Sequence, residues 1–325
     1  MAVTYRPTDY LYLSARLRAR EAALVGKDRL ARLAETGSAE EALSTLISEG
    51  VLGADAKNDP EGALTALLRE EYGTVRAAAP DPALFAFLLY PTDCHNLKSL
   101  LKCHYRGVSP DALLIDAGSI PVEELASLFE RVPDTVPAHM RAALDEARVA
   151  FERTGDPREI DFLLDAACFA DMSENAASLP LAAELVRARA DMINLSSCRR
   201  LIRMNAGEAG AVMLQRAFLP GGTIDCATLS GLYAEGESAF AAFAARSAYA
   251  AVFEGTTAAE AERRADDYYL QIARRAKETP FGAEVVIGYL VGLEYAVKNL
   301  RILLVAKESG ADARVLAGRL RESYV

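Results

Sequence analysis

Two cysteines, two histidines and an aspartate fall within sixteen residues, in TDCHNLKSLLKCHYRG (residues 92–107). Thiolate and imidazole are ligands for zinc and other soft or borderline cations, so metal binding is the first chemistry these side chains suggest. Their spacing opposes it. On a helix turning about 100° per residue, Cys94 and Cys103 lie on opposite faces, roughly 13 Å apart along the axis. His95 and His104 repeat that separation, whereas two ligands on one helix need intervals of three or four residues. The adjacent pairs Cys94-His95 and Cys103-His104 do not converge either, and no metal or cofactor is expected.

Two aspartate pairs raise a second possibility. DDYYL (residues 266–270) and DFLLD (residues 161–165) resemble the carboxylate sets that hold Mg²⁺ and diphosphate in all-helical prenyl-transfer enzymes. Such a site needs two aspartate-rich runs facing one cavity and basic residues for the diphosphate. Asp266 and Asp267 are instead followed by YYLQIARRAK, with no third aspartate in place. There is no G-x-x-x-x-G-K-[ST] loop and no G-x-G-x-x-G, so neither common device for binding nucleotide is expected. The three histidines (95, 104 and 139) fall in no motif of nucleophilic catalysis. A catalytic role is therefore not expected, and a Mg-dependent helical enzyme stands behind the alternatives.

The elements that would position these residues are helical. The chain has 325 residues, 51% hydrophobic but only 7% aromatic and without tryptophan. Ala, Leu, Glu and Arg, all strong helix formers, recur throughout, so an all-α fold is expected. A formal charge of −10 excludes the basic face of a nucleic-acid binder. Five cysteines at irregular spacing are no disulfide framework, and the opening MAVTYRPTDY has no apolar signal core; both suit a reducing cytoplasm. Residues 281–306 are long and apolar enough to span a bilayer, but they carry Glu284, Glu294, Lys298 and Arg301, which makes them a buried helix.

Helical periodicity begins at residues 10–21 and again at 38–49, where Ser38 and Glu41 stand at capping-box spacing. Strand signals are confined to short runs, ALLID and GTIDCATL, so at most minor extended pieces are expected. Arg16, Arg18 and Arg20 fan around the first helix, as expected of a solvated face or of salt bridges between domains.

The opening stretch recurs three times. Aligned on Asn96, Asn194 and Asn299, the copies read DCHNLKSLLKCHYRG, DMINLSSCRRLIRMNAG and AVKNLRILLVAKESG. Each has leucine after the asparagine (Leu97, Leu195, Leu300) and an apolar residue at the fourth position (Leu100, Cys198, Leu303). Each closes on glycine (Gly107, Gly207, Gly310), and PLAAE and PFGAE open the second and third copies at Pro180 and Pro280. A period near 100 residues is too long for a solenoid and suits small helical domains, giving three related domains at residues 1–109, 110–209 and 210–325. A short amide at the margin of a buried seam suits a bond to backbone in a neighbouring segment. Asp93 and Asp191, three residues before their asparagines, are expected to favour helix N-termini. Asp93, Asn96, Leu97, Asp191, Asn194, Leu195, Asn299, Leu300 and Arg301 are thus the candidate structural or interface positions.

The segments DYLYLSARLRARE, SAEEALSTLISEG, TDCHNLKSLLKCHYRG, DPREIDFLLDAACFADM and EYAVKNLRILLVAKESG, in this order, resemble the C subunit of V/A-type rotary ATPases, the counterpart of the d subunit of eukaryotic V-ATPase. The resemblance runs from about Asp9 to Gly310. It implies a funnel-shaped protein of three similar helical domains about a pseudo-threefold axis. It also implies a non-catalytic central-stalk component on the cytoplasmic side of the membrane, joining a shaft of D and F subunits to the proteolipid ring and carrying torque. The sequence departs from the family at Ala296, where members often carry an acid three residues before the asparagine. The competing class is a soluble helical adaptor or scaffold, although adaptors usually repeat at 34 to 47 residues.

Overall fold

The computed structural model describes residues 5–325, and Met1 to Thr4 of the opening segment lie outside the described residues. Among the described residues the regular elements are all helices, with no strand, as composition and periodicity predict. ALLID lies in turns and coil, and GTIDCATL is a bend leading into a helix.

In chain order the α-helices are α1 (Leu11–Glu21), α2 (Lys27–Glu35), α3 (Ala39–Ser48), α4 (Pro60–Ala78), α5 (Tyr90–Arg106), α6 (Val122–Leu125), α7 (Ala138–Thr154) and α8 (Arg158–Ala176). There follow α9 (Pro180–Arg203), α10 (Gly207–Arg216), α11 (Cys226–Glu235), α12 (Glu237–Arg246), α13 (Ala250–Phe253), α14 (Ala258–Arg274), α15 (Ala283–Glu308) and α16 (Ala313–Arg319). They form two compact units, one of Met1–Pro82 with Asp266–Val325 and one of Ala83–Ala265.

The first unit is built on α15, which α1, α2, α3 and α4 pack against. Val285, Val286, Ile287, Leu290, Val291, Leu293, Leu300 and Leu303 are buried around its whole circumference, as in the central helix of a core. Its charges are placed individually. Glu294 accepts the Tyr72 hydroxyl, Lys298 reaches Asp266 and Arg301 pairs with Glu61. No helix among the described residues is long and apolar enough to cross a membrane. At α3, Ser38 caps by accepting the Glu41 N–H at 3.1 Å, while the Glu41 carboxylate reaches back to the Gly37 N–H at 2.7 Å, one residue before the usual box partner.

Two of the three arginines of α1, Arg18 and Arg20, do not belong to a solvated fan. Arg18 pairs with Glu21 and donates to the carbonyls of Ala276 and Thr279. Arg20 pairs with buried Glu71, which also accepts the Tyr289 hydroxyl at 2.8 Å. These partners all belong to the same unit, so the charges tie α1 and α4 to the C-terminal helices.

In the second unit α8 is the shared member, packing on α5, α7 and α9, with α11 and α12 further along α9. Small residues of α9 (Ala182, Ala188, Ala190) are buried, which lets neighbouring helices approach closely. The three motif helices are α5, α9 and α15. Gly107 and Gly310 end the first and third in the left-handed conformation that glycine adopts without strain. The second ends earlier, at Arg203, with Asn205 left-handed before α10 and Gly207, the first residue of α10, left-handed as well. Pro180 opens α9 in its first turn, whereas Pro280 precedes α15, which starts behind Gly282.

Candidate functional site

Each motif asparagine grips the backbone of a later segment through both atoms of its amide. Asn96 accepts the Ile115 N–H at 2.9 Å and donates to the Ile115 carbonyl at 2.9 Å. Asn194 does the same to Leu219, at 2.9 and 2.8 Å, and Asn299 to Arg321, at 2.8 and 3.1 Å. The amide thereby replaces one bridge of a β-ladder, satisfying an N–H and a C=O that have no helical partner. All three asparagines are buried, as are Leu97, Leu195 and Leu300 beside them.

Asp93 and Asp191 hold the same segments a little further on. Asp93 accepts the Ser119 hydroxyl and the Ile120 N–H. Asp191 accepts the Thr223 N–H and hydroxyl, the Ile224 N–H and, at 2.8 Å, the Tyr249 hydroxyl. Their expected service to helix N-termini is thus corrected in part. Asp93 does lie in the first turn of α5, but Asp191 lies in the middle of α9, and the donors of both come from the gripped segment. Gly118 and Gly222 stand where these carboxylates press on the chain; a Cβ at either would lie 2.1 Å from the aspartate Oδ1.

The third copy makes the same grip with exchanged parts. Where the acid would be, α15 carries Ala296, and the acids come from α14 instead. Asp266 accepts from Arg321 Nε at 2.7 Å, and Asp267 accepts the Glu322 N–H at 2.7 Å. Tyr324 takes the position of the segment glycine, and α15 supplies the room. A Cβ at Gly292 would lie 2.5 Å from the Tyr324 ring, and one at Gly288 2.5 Å from its hydroxyl. The DDYYL pair therefore secures a chain segment, with Lys298 as a further partner of Asp266. Burial raises the Asp266 carboxyl, but Lys298 and Arg321 outweigh it and hold the group below the usual carboxylate range. In DFLLD, Asp161 pairs with Lys102 and Asp165 with Lys98, each at 2.5 Å.

The three gripped segments were not among the sequence candidates. A signal for two of them was present: GSI at residues 118–120 and GTI at 222–224 follow their motifs at similar distances. Arg301, placed with the motif in the sequence, lies outside the clasp and pairs with Glu61 of α4 while donating to Thr65.

The remaining chemistry-bearing residues are dispersed. His95 contacts the Leu113 carbonyl, His104 stacks on Phe129 and His139 faces Glu174 at 3.3 Å. His139, Glu174 and Asp171 bring ligand atoms within 4.8 Å of one another. However, both Asp171 oxygens accept backbone N–H groups, of His139 and Met140, so the carboxylate already serves the N-terminus of α7, where the helix dipole disfavours a cation.

Fold and clasps together define a class, an all-α protein assembled from a repeated helix-and-strap unit. Residues 13–317 match the model of the ATP synthase (C/AC39) subunit family, and the chain belongs to that family. It is similar to the C subunit of the V-type sodium ATPase of Enterococcus hirae, 24% identical over 331 residues that cover 97% of this chain and 99% of that protein. It is also similar to the C subunit of the A-type ATP synthase of Methanocaldococcus jannaschii, 26% identical over 338 residues, covering 92% and 82% respectively.

Proposed function

We propose that this chain is the central-stalk C subunit of a V/A-type rotary ATPase, a non-catalytic socket that receives a shaft of D and F subunits and couples its rotation to the membrane proteolipid ring. The observation that carries this is the family match across residues 13–317, with relatives named as the C subunits of a sodium ATPase and an ATP synthase. In this role the chain attaches peripherally to the cytoplasmic face of the membrane. It binds neither nucleotide nor nucleic acid itself.

Torque transmission calls for modules that do not yield when pushed sideways. Helices sheathed on all sides, as α15 is, resist bending through close packing. The clasps supply a second support: they fasten a non-helical strap to each motif helix by directional bonds, which resist sliding as apolar contact does not. The spans 1–109, 110–209 and 210–325 are proposed as three related domains, a division by likeness of sequence, the first two ending just after a motif helix. The acidic surplus, largely within Ala83–Ala265, would orient basic segments of the shaft before contact.

Mixing the purified chain with a purified D–F pair from the same cell tests the socket directly. A stoichiometric complex on size-exclusion chromatography is expected. Failure to bind both that pair and the isolated ring would overturn the proposal.

A further inference from the structure

We propose that Cys94, Cys168 and Met172 form a binding site for one thiophilic monovalent cation of the copper(I) class, closed by three sulfurs from two packed helices. Cys94 comes from α5 and the other two from α8, and all three are buried at 1–3% exposure. The Cys94 thiol lies over α8, donating to the Leu164 carbonyl at 3.5 Å, one turn before Cys168, which is its neighbour there. The Cys168 thiol in turn faces the Met172 sulfur at 3.9 Å. Metal–sulfur bonds of about 2.3 Å place the sulfurs of a trigonal centre about 4 Å apart, so that spacing needs little change on binding.

Thiolate and thioether sulfur select copper(I) over hard divalent cations, and no imidazole is among these contacts to draw a different metal. Binding exchanges two S–H bonds for two metal–thiolate bonds, releases two protons to water and changes no oxidation state. Two thiolates around a monovalent cation leave one negative charge in excess. Lys98, one turn along α5 from Cys94, faces this charge while shared with Asp165, which lies 3.6 Å from the Cys94 sulfur with its side chain 41% exposed and gives an edge through which the ion enters and the remaining charge is screened by water. The spacing argument within residues 92–107 still holds. The partners of Cys94 come from a different helix, which intervals along one helix do not reveal.

The test is an anaerobic titration of the reduced full-length protein with copper(I) supplied as its acetonitrile complex, in competition with bathocuproine disulfonate. The expected result is one copper per chain with near-ultraviolet thiolate-to-copper absorption, abolished by Cys94→Ser and by Cys168→Ser. Met172→Leu, which keeps the volume of the core, is expected to weaken binding about tenfold, while Cys103→Ser and Cys226→Ser leave it unchanged. If the serine variants do not fold, X-ray absorption of the wild-type copper centre decides, with a shell of three sulfurs expected. Absence of tight binding, copper that survives both serine replacements, full affinity in Met172→Leu, or a shell containing nitrogen would each overturn the proposal.

Discussion

Replacing Asn194 by alanine would leave the Leu219 N–H and C=O buried without partners. Each such group costs about 1–3 kcal/mol, so the variant should lose roughly 2–6 kcal/mol, read as a lowered denaturant midpoint at unchanged slope. Asp266 gives an expectation about pH. Its carboxyl titrates below the ordinary 3.8 in the folded chain, so its contribution to stability is fully present above 3.8 and disappears as the pH falls through the folded value. Unfolding midpoints should therefore drop on acidification in the wild type, and this acid-side slope should be shallower in Asp266→Asn. At this scale the sequence was partly legible. That each asparagine bonds to backbone follows from its size, polarity and place on an apolar seam, but which backbone it meets depends on a chain reversal about 20 residues later, marked in the sequence only by the recurrence of GSI and GTI in two of the three copies. The aspartates of DDYYL show the same limit, since a clasp assembled from two helices in the third copy has no counterpart in the spacing of the other two.

The clasps work as elements because glycine clears the way for the carboxylate. Gly222→Ala would bring a methyl group to 2.1 Å from Asp191 Oδ1, and the overpacking should cost about 1–3 kcal/mol. Gly231→Ala, within α11 with no atom near the added methyl, should instead stabilise by up to about 1 kcal/mol. Thermal unfolding of the two variants separates a steric requirement from a generic effect of helix propensity. In the third copy the requirement falls on the helix. Gly292→Leu should expel Tyr324 and loosen residues 321–325, seen as faster amide exchange there while the buried middle of α15 stays protected. Long elements were the most legible part of the fold. Apolar residues around the whole circumference of residues 281–307 identify a core helix, and its charged positions find partners within the same unit. The straps were least legible, because backbone held by side chains from elsewhere looks, in sequence, like any short loop.

For the whole molecule, family membership and an all-helical fold agree with what five segments in order had implied, while the socket rests on proposal. If a net charge of −10 steers the shaft, association with a D–F pair should slow several-fold as salt rises from about 0.05 to 0.3 M, with a smaller change in dissociation. The measurement closest to the central claim is made in the native cell. The chain is tagged, membranes are extracted in mild detergent, and every co-purifying protein is weighed while ATP hydrolysis is assayed. Recovery of nucleotide-binding subunits, a small shaft pair and a proteolipid with ATPase activity is the expected result; recovery of this chain alone, with no ATPase activity, would contradict it.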